Sequence, residues 1–341
     1  MRRPRIDRYL LAGVACAVCC SAAGAQAQTD PLPSWNDGPA KAAIVEFVRR
    51  TTDASSPQFV PTEKRIATFD QDGTLWVEKP TVPQLKYCLD RVSALARKKP
   101  ELTSVEPFKT VLGGDRAALT KLTMSDLKKI LVATLTGITT DEYQAEVKQW
   151  LAMAKDPRWK KPYNELTYQP MQEVLRYLRV SGYKTYIVSG GGQDFIRTYA
   201  AQTYCIPPEQ IVGAIGGTAF GYDKDGQPIL TRVPKLLLND VETGKPEGIQ
   251  LMIGRRPYAA FGNSTGDRQM LEYTKAGAGE RLAMLVLHDD ATREYAYGPA
   301  QGLPDTREGT FTQALYDQAK NSGWIVISMK NDWKRVFSFE Q

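Results

Sequence analysis

One pattern constrains this chain more than any other. A short apolar run breaks off at a polar, glycine-bearing loop, three times over, in a sequence where strand-like and helix-like stretches alternate. Residues 65–69 run into Asp70-Gln71-Asp72-Gly73-Thr74, residues 184–188 into Ser189-Gly190-Gly191-Gly192, and residues 259–261 into Gly262-Asn263-Ser264-Thr265-Gly266-Asp267. Runs this short and apolar, stopped by glycine, suit strands buried on both faces of a parallel sheet. Alternating with helices, they predict an α/β fold with a Rossmann-like, doubly wound, mostly parallel sheet. Such sheets bind ligands beyond the carboxyl ends of their strands, so the three loops are expected to meet at one site.

The stretch between the first and second loops reads differently. Residues 79–164 carry helical periodicity over 85–96, 125–134 and 140–154, with Thr140, Asp141 and Glu142 as a helix start. The expected organisation is a core of residues 28–78 and 165–341 with an α-helical cap, 79–164, inserted. Within the core, Asp37 is expected to cap a helix over 40–51 whose apolar face is Ile44, Val45, Phe47 and Val48. An amphipathic helix over 168–180 ends at Gly182, and helices are expected over 193–204, 245–253 and 311–322. Residues 218–222 and 229–233 flank Asp223-Lys224-Asp225-Gly226 as a hairpin, and 282–287 and 324–328 read as further strands. No internal repeat or low-complexity tract interrupts this order.

The N-terminus reads as an export signal. Arg2, Arg3, Arg5 and Arg8 precede an apolar run over 9–23 and the small-residue sequence Ala25-Gln26-Ala27. The run is short for a bilayer span, which takes about 20 residues. Residues 1–27 are therefore expected to be a signal peptide, with a periplasmic or secreted product and no stable membrane insertion after cleavage. The chain's net charge of +6 falls to +3 without those residues, which carry four Arg and one Asp. So even a balance gives no cause to expect nucleic acid as a partner. Cleavage would also leave only Cys88 and Cys205, which in an oxidising compartment either pair or stand as two thiols. With 42% hydrophobic residues a sizeable core is available and wholesale disorder is excluded.

The chemistry-bearing residues lie in the loops. Asp70 and Asp72, two apart at a strand end, point the same way on an extended backbone. One can attack phosphorus while the other protonates a leaving alkoxide and then activates water. Gly73 permits the sharp turn that brings backbone N–H groups toward phosphoryl oxygens. The Ser189 hydroxyl, with the backbone at Gly190 behind it and a helix start near Gln193, can take a phosphoryl oxygen. Lys245, opening a helix, can neutralise both an attacking carboxylate and a phosphoryl group. Asn263 and Asp267 offer oxygen ligands suited to a hard cation such as Mg²⁺.

In this order and strand context, the four elements resemble the phosphatase branch of the haloacid dehalogenase superfamily, over about residues 65–287. The hairpin at 223–226 and the Ser-Gly-Gly stretch are similar to its phosphoserine-phosphatase-like members. The resemblance implies Asp70 as nucleophile and Asp72 as general acid/base, with Thr74 in the loop that positions Asp72. It implies Ser189 as the phosphoryl-binding hydroxyl and Lys245 as the lysine of the third motif. Mg²⁺ would lie on the Asp70 side chain, the Asp72 carbonyl and Asp267, with Asn263 nearby. Asn263 departs from the pattern, since many relatives carry Asp there. Asp72 favours phosphate esters over halides, because an alkoxide needs a proton to leave.

The implied activity is Mg²⁺-dependent hydrolysis of a small phosphomonoester through an aspartyl-phosphate. A phosphotransferase or mutase of the same fold is the enzymatic rival. A non-catalytic exported binding protein is the other, although a clamp has no need of Asp72. The sequence is silent on oligomeric state and substrate identity. Of the remaining polar residues, Glu78 and Arg116 are expected as solvated or structural charges, and His288 with Asp289 and Asp290 as a surface turn. Trp76 is expected in the core, and Tyr295, Tyr297, Trp324 and Trp333 to pack the C-terminal elements onto it.

Overall fold

The computed structural model describes residues 30–340; the expected signal peptide, residues 1–27, lies outside the described residues, as does the side chain of Arg116. The chain opens with α1 (Pro39–Thr52) and β1 (Ile66–Phe69). Five helices follow in the insert: α2 (Pro83–Lys98), α3 (Phe108–Gly113), α4 (Arg116–Leu119), α5 (Met124–Leu135) and α6 (Thr140–Met153). Then come α7 (Gln169–Val180), β2 (Lys184–Gly192), α8 (Gln193–Arg197), α9 (Ala200–Tyr204), β3 (Ile211–Tyr222) and β4 (Pro228–Leu238). The C-terminal part runs α10 (Gly244–Met252), β5 (Ala259–Gly262), α11 (Arg268–Lys275), β6 (Leu282–Leu287), α12 (Gln313–Asn321), β7 (Ile325–Ser328) and α13 (Met329–Asp332).

The strands form one sheet in the order β4-β3-β2-β1-β5-β6-β7. All neighbours are parallel except β3 and β4, which are antiparallel. The chain winds outward one way from β1 and then returns to wind outward the other way from β5. The topological switch point therefore falls between β1 and β5, where Phe69 lies in register with Phe261. Their rings stack at 4.5 Å. Successive strand residues go to opposite faces. Ala259, Phe261, Met284 and Val286 join the core under α1, α2 and α7, whereas Ala260, Ala283 and Leu285 join the one under α10, α11 and α12. Strands covered on both faces explain the uninterrupted apolar runs in the sequence; all six residues of β6 are buried.

Several boundaries differ from those expected. The hairpin is longer, because β3 continues from the sheet through Tyr222. The single helix expected over 193–204 is broken into α8 and α9. Asp37 is not the cap of α1: Gly38 holds that position without a side-chain hydrogen bond, Pro39 begins the helix, and Asp37 pairs with Lys41. The helical insert is bonded to the hairpin. Arg232 donates to the Leu135 carbonyl at 2.8 Å, and its backbone exchanges bonds with Gly137 and Ile138. Among the described residues no helix is long and apolar enough to cross a membrane.

Candidate active site

The three loops meet at the carboxyl ends of β1, β2 and β5. Asp70 follows β1, and its backbone N–H is held by the Phe261 carbonyl of β5 at 2.9 Å. The next residues curl at once: Leu75 N–H reaches back to the Gln71 carbonyl, and Gly73, at φ 76°, bonds the Trp76 carbonyl. Gly73 is required twice over, since a methyl there would stand 2.1 Å from Asn263 Nδ2. The turn splits the two carboxylates between different partners. Asp70 Oδ1 receives Lys245 Nζ at 2.6 Å, whereas Asp72 Oδ1 receives the Trp76 indole N–H at 2.6 Å.

Lys245 is the hub. It is 2% exposed and enters from the first turn of α10. Besides Asp70 it donates to Asp267 Oδ1 at 2.6 Å and to the Val188 carbonyl at 2.8 Å, just before Ser189. All three ammonium donors are thus taken by the ends of three different strands. Asp267 Oδ2 accepts the backbone N–H groups of Asn263 and Ser264, both at 3.0 Å, so this carboxylate anchors the lysine and its own loop together. Ser189 is buried and its Oγ accepts the Gly191 N–H at 3.1 Å. Gly190 is closed in by Val241, which a methyl there would approach to 2.7 Å. Gly192 N–H donates to Gln84 Oε1 at 2.6 Å, a contact that joins α2 of the helical insert to this loop. Thr74 Oγ1 donates to Asn263 Oδ1 at 3.2 Å.

Burial sets the protonation energetics. Burial, joined by the charge of Asp267, pushes the Asp70 pKa up to about 8, against the pull of Lys245. Burial also raises Asp72, to about 6, with the Trp76 hydrogen bond opposing it and Glu308 adding to it. Asp240, beneath the same cluster, is raised by burial to about 7, Lys245 opposing. For Lys245 burial works against the charge, but the carboxylates of Asp267, Asp70 and Asp240 outweigh it and hold the ammonium above its usual range. The cluster holds more buried acid than base. The oxygens it can offer a cation are those of the Asp70 carboxylate, the Asp72 carbonyl and Asn263 Oδ1, the first already touched by Lys245 and the last by Thr74. Among the described residues no group of three or more His, Cys, Asp or Glu side chains is arranged to hold a metal alone. A hard cation that uses one or two carboxylates and fills its shell with water and substrate oxygens fits such a donor set.

Of the two alternatives expected for Glu78, solvated or structural, the structure shows the second: it is 4% exposed and its Oε1 accepts Asn263 Nδ2–H at 2.8 Å. One expectation is corrected, since His288 is not in a surface turn. It is 2% exposed, with Nε2 on the Gly73 carbonyl at 2.7 Å and Nδ1 on Glu294 at 2.9 Å, and its ring stacks on Tyr297. A carbonyl only accepts, so Nε2 carries the proton, and His288 braces the catalytic turn from behind. No local pattern signals this role, since 215 residues separate the partners. Trp76 is in the core as expected, stacked on Tyr199 at 4.8 Å, and also holds Asp72. Tyr297, Trp324 and Trp333 are buried as expected, and half-buried Tyr295 meets Trp159 edge-on. Cys88 and Cys205 are both free, Cys88 buried and Cys205 exposed. Gln71, whose amide donates to Tyr204 at 2.9 Å, and Gln84 were not anticipated as part of the site.

Fold and site together define a doubly wound α/β protein with a buried Asp–Lys–Asp cluster at its switch point. No family model and no curated protein matches the chain. Solved structures similar to it include a conserved protein of unknown function from Anaerococcus prevotii, at 16% identity over 74% of this chain and 86% of that one, with a TM-score of 0.48. A protein of unknown function from Bordetella pertussis is 17% identical over 77% and 98%, with a TM-score of 0.44. A phosphoserine phosphohydrolase-like protein from Francisella tularensis is 17% identical over 66% and 88%, with a TM-score of 0.36. All three TM-scores lie below 0.5, so the functional reading rests on the site itself.

Proposed function

We propose that the chain is a Mg²⁺-dependent phosphomonoester hydrolase of the haloacid dehalogenase type, acting on a small phosphate ester. The observation that carries this reading is the division of labour between the two acids of the turn. Asp70 is paired with a lysine shared by Asp267, whereas Asp72, two residues on, is held apart by an indole. An Asp70 oxygen attacks phosphorus and the ester P–O bond breaks. Asp72, protonated, gives its proton to the leaving alkoxide. As a carboxylate it then takes a proton from water, whose oxygen attacks the same phosphorus. The bond from phosphorus to Asp70 breaks, and inorganic phosphate and the free carboxylate result. A pKa near 6 lets Asp72 serve in both directions close to neutral pH. Lys245, Ser189 and the backbone at Gly190 stabilise charge on the transferring group.

Asp267, expected as a ligand, has its oxygens taken by Lys245 and by the backbone of Asn263 and Ser264. Mg²⁺ would therefore be held by Asp70, the Asp72 carbonyl and Asn263, with Asp267 behind them, and when bound it supplies positive charge that favours ionised Asp70 and offsets the phosphoryl oxygens. An exported setting is supported by the pattern at residues 1–27 alone, and residues 79–164 are the proposed cap. The test is phosphate release from a panel of phosphomonoesters, with Mg²⁺, with chelator, and with Asp70→Asn. Turnover that needs Mg²⁺ and vanishes in Asp70→Asn supports the reading. Tight ester binding without turnover by the unmodified chain overturns it in favour of a non-catalytic binding protein.

A further inference from the structure

One buried acid has no task in that mechanism. Glu78 leaves the catalytic turn four residues after Thr74 and ends on the amide of Asn263. Thr74 Oγ1 donates to one end of the amide, Oδ1, and Glu78 Oε1 accepts from the other, Nδ2. The hydroxyl could serve either end of the amide, but a carboxylate only accepts, so Glu78 is what sets the amide with Nδ2 toward it and Oδ1 toward Thr74. Nδ2 is held on Glu78 beside Gly73, and Oδ1 is held by Thr74.

The slot around Glu78 is shaped for it by two glycines from distant segments. A methyl on Gly309 would stand 1.9 Å from Glu78 Oε1, and one on Gly73 would stand 2.5 Å from the same atom. Both glycines have positive φ, 66° and 76°. The neighbours are fixed as well. Gly73 is braced by His288, and Lys79 lies over the Tyr297 ring and on the Glu308 carbonyl at 2.7 Å. Burial raises the Glu78 pKa well above its usual range, with Lys79 opposing, and a cation on the amide oxygen favours the ionised form. The carboxylate's hydrogen bond to Nδ2 shifts electron density toward Oδ1, as partners behind a metal ligand generally do.

We propose that Glu78 supplies, through Asn263, the negative charge that residue 263 lacks, so that Asn263 and Glu78 together serve Mg²⁺ as one carboxylate. The inference rests on the Mg²⁺ reading above. The pair places its charge one hydrogen bond back from the cation and its neutral amide in front.

The experiment is titration calorimetry of Mg²⁺ into the chain without substrate, for the unmodified protein, Glu78→Gln, Asn263→Asp and the double variant. Glu78→Gln keeps an acceptor for Nδ2–H and removes only the charge. It is expected to weaken Mg²⁺ binding by roughly 10–100-fold. Asn263→Asp alone sets two acids against each other and is expected to bind no tighter than the unmodified chain. Glu78→Gln with Asn263→Asp moves the charge from one partner to the other within the same outline, and is expected to return to within a few-fold of the original affinity. The double variant also guards against a folding defect in Glu78→Gln, since it keeps one carboxylate in the pair. Unchanged Mg²⁺ affinity in Glu78→Gln, or no recovery in the double variant, overturns the proposal while leaving the hydrolase reading intact. Ester hydrolysis by an unmodified chain that binds no Mg²⁺ overturns the metal reading and this proposal with it. Mg²⁺ binding that shows the expected pattern without any turnover sinks only the hydrolase reading.

Discussion

Replacing Lys245 with Met tests the cluster at its centre. The ammonium is 2% exposed and satisfies Asp70, Asp267 and the Val188 carbonyl at 2.6, 2.6 and 2.8 Å. Met fills much of the same volume, so the cavity contribution is small and the loss is chiefly electrostatic. Removing one partner of a buried ion pair costs about 3–5 kcal/mol, because the other charge stays buried. The orphaned carbonyl adds to this, at about 1–3 kcal/mol. Part of the cost is already present in the metal-free chain, where the Asp70 pKa near 8 leaves that carboxyl largely protonated at pH 7. We therefore take about 3–4 kcal/mol. At roughly 2–4 °C per kcal/mol for large domains, the melting temperature in chelator should fall on the order of 10 °C. Adding Asp267→Asn to Lys245→Met removes the uncompensated charge. The pair should recover at least about 1 kcal/mol relative to the sum of the two single variants. Thermal melts of the four proteins decide this, with phosphate release as a companion assay in which Lys245→Met loses roughly 10²–10³ in kcat. A Lys245→Met chain that melts with the unmodified protein would refute the claim that this lysine is the charge that holds the loops together.

Two further outcomes are expected. Trp76→Phe keeps the buried ring and deletes the hydrogen bond that opposes burial at Asp72, so the pKa of Asp72 should rise further, by about one unit for the loss of a charge-assisted bond. If the protonated acid is what the leaving group needs, the alkaline fall in kcat moves to higher pH; a fall that stays put refutes the role of the indole. In a chain beginning at Gln28, a thiol reagent should modify exposed Cys205 readily and leave Cys88, buried and with its thiol pushed up to about 12, unmodified until unfolding. Two equally reactive thiols, or none under native conditions, would contradict this.

The loops were legible because strand and catalytic residue are adjacent in the chain. Asp70 follows Phe69, and Asn263 follows Gly262, so once the apolar runs are read as buried strands the polar residues must lie at their ends. Lys245 was legible only through its place in the order of the four elements, since a lysine opening a helix after a glycine is by itself an ordinary surface pattern. Glu78 and His288 were not. Read locally, a glutamate beside Lys79 and a histidine beside Asp289 and Asp290 look solvated, and only folding puts one against Asn263 and the other against Gly73. The break between α8 and α9 was equally hidden, since the sequence pattern runs on across it.

By itself, then, the sequence determined the class of fold, the three loops and the residue types that could do chemistry there, because each of these is set by short-range pattern: apolar period, glycine and the adjacent acid. The tertiary structure alone decided how the charges are shared. Which acid takes Lys245, which takes Trp76, and which stands behind Asn263 depend on contacts between residues as far as 185 positions apart. Such contacts form only when the sheet is assembled, and burial within that sheet is what turns ordinary carboxyls into groups that titrate near neutrality.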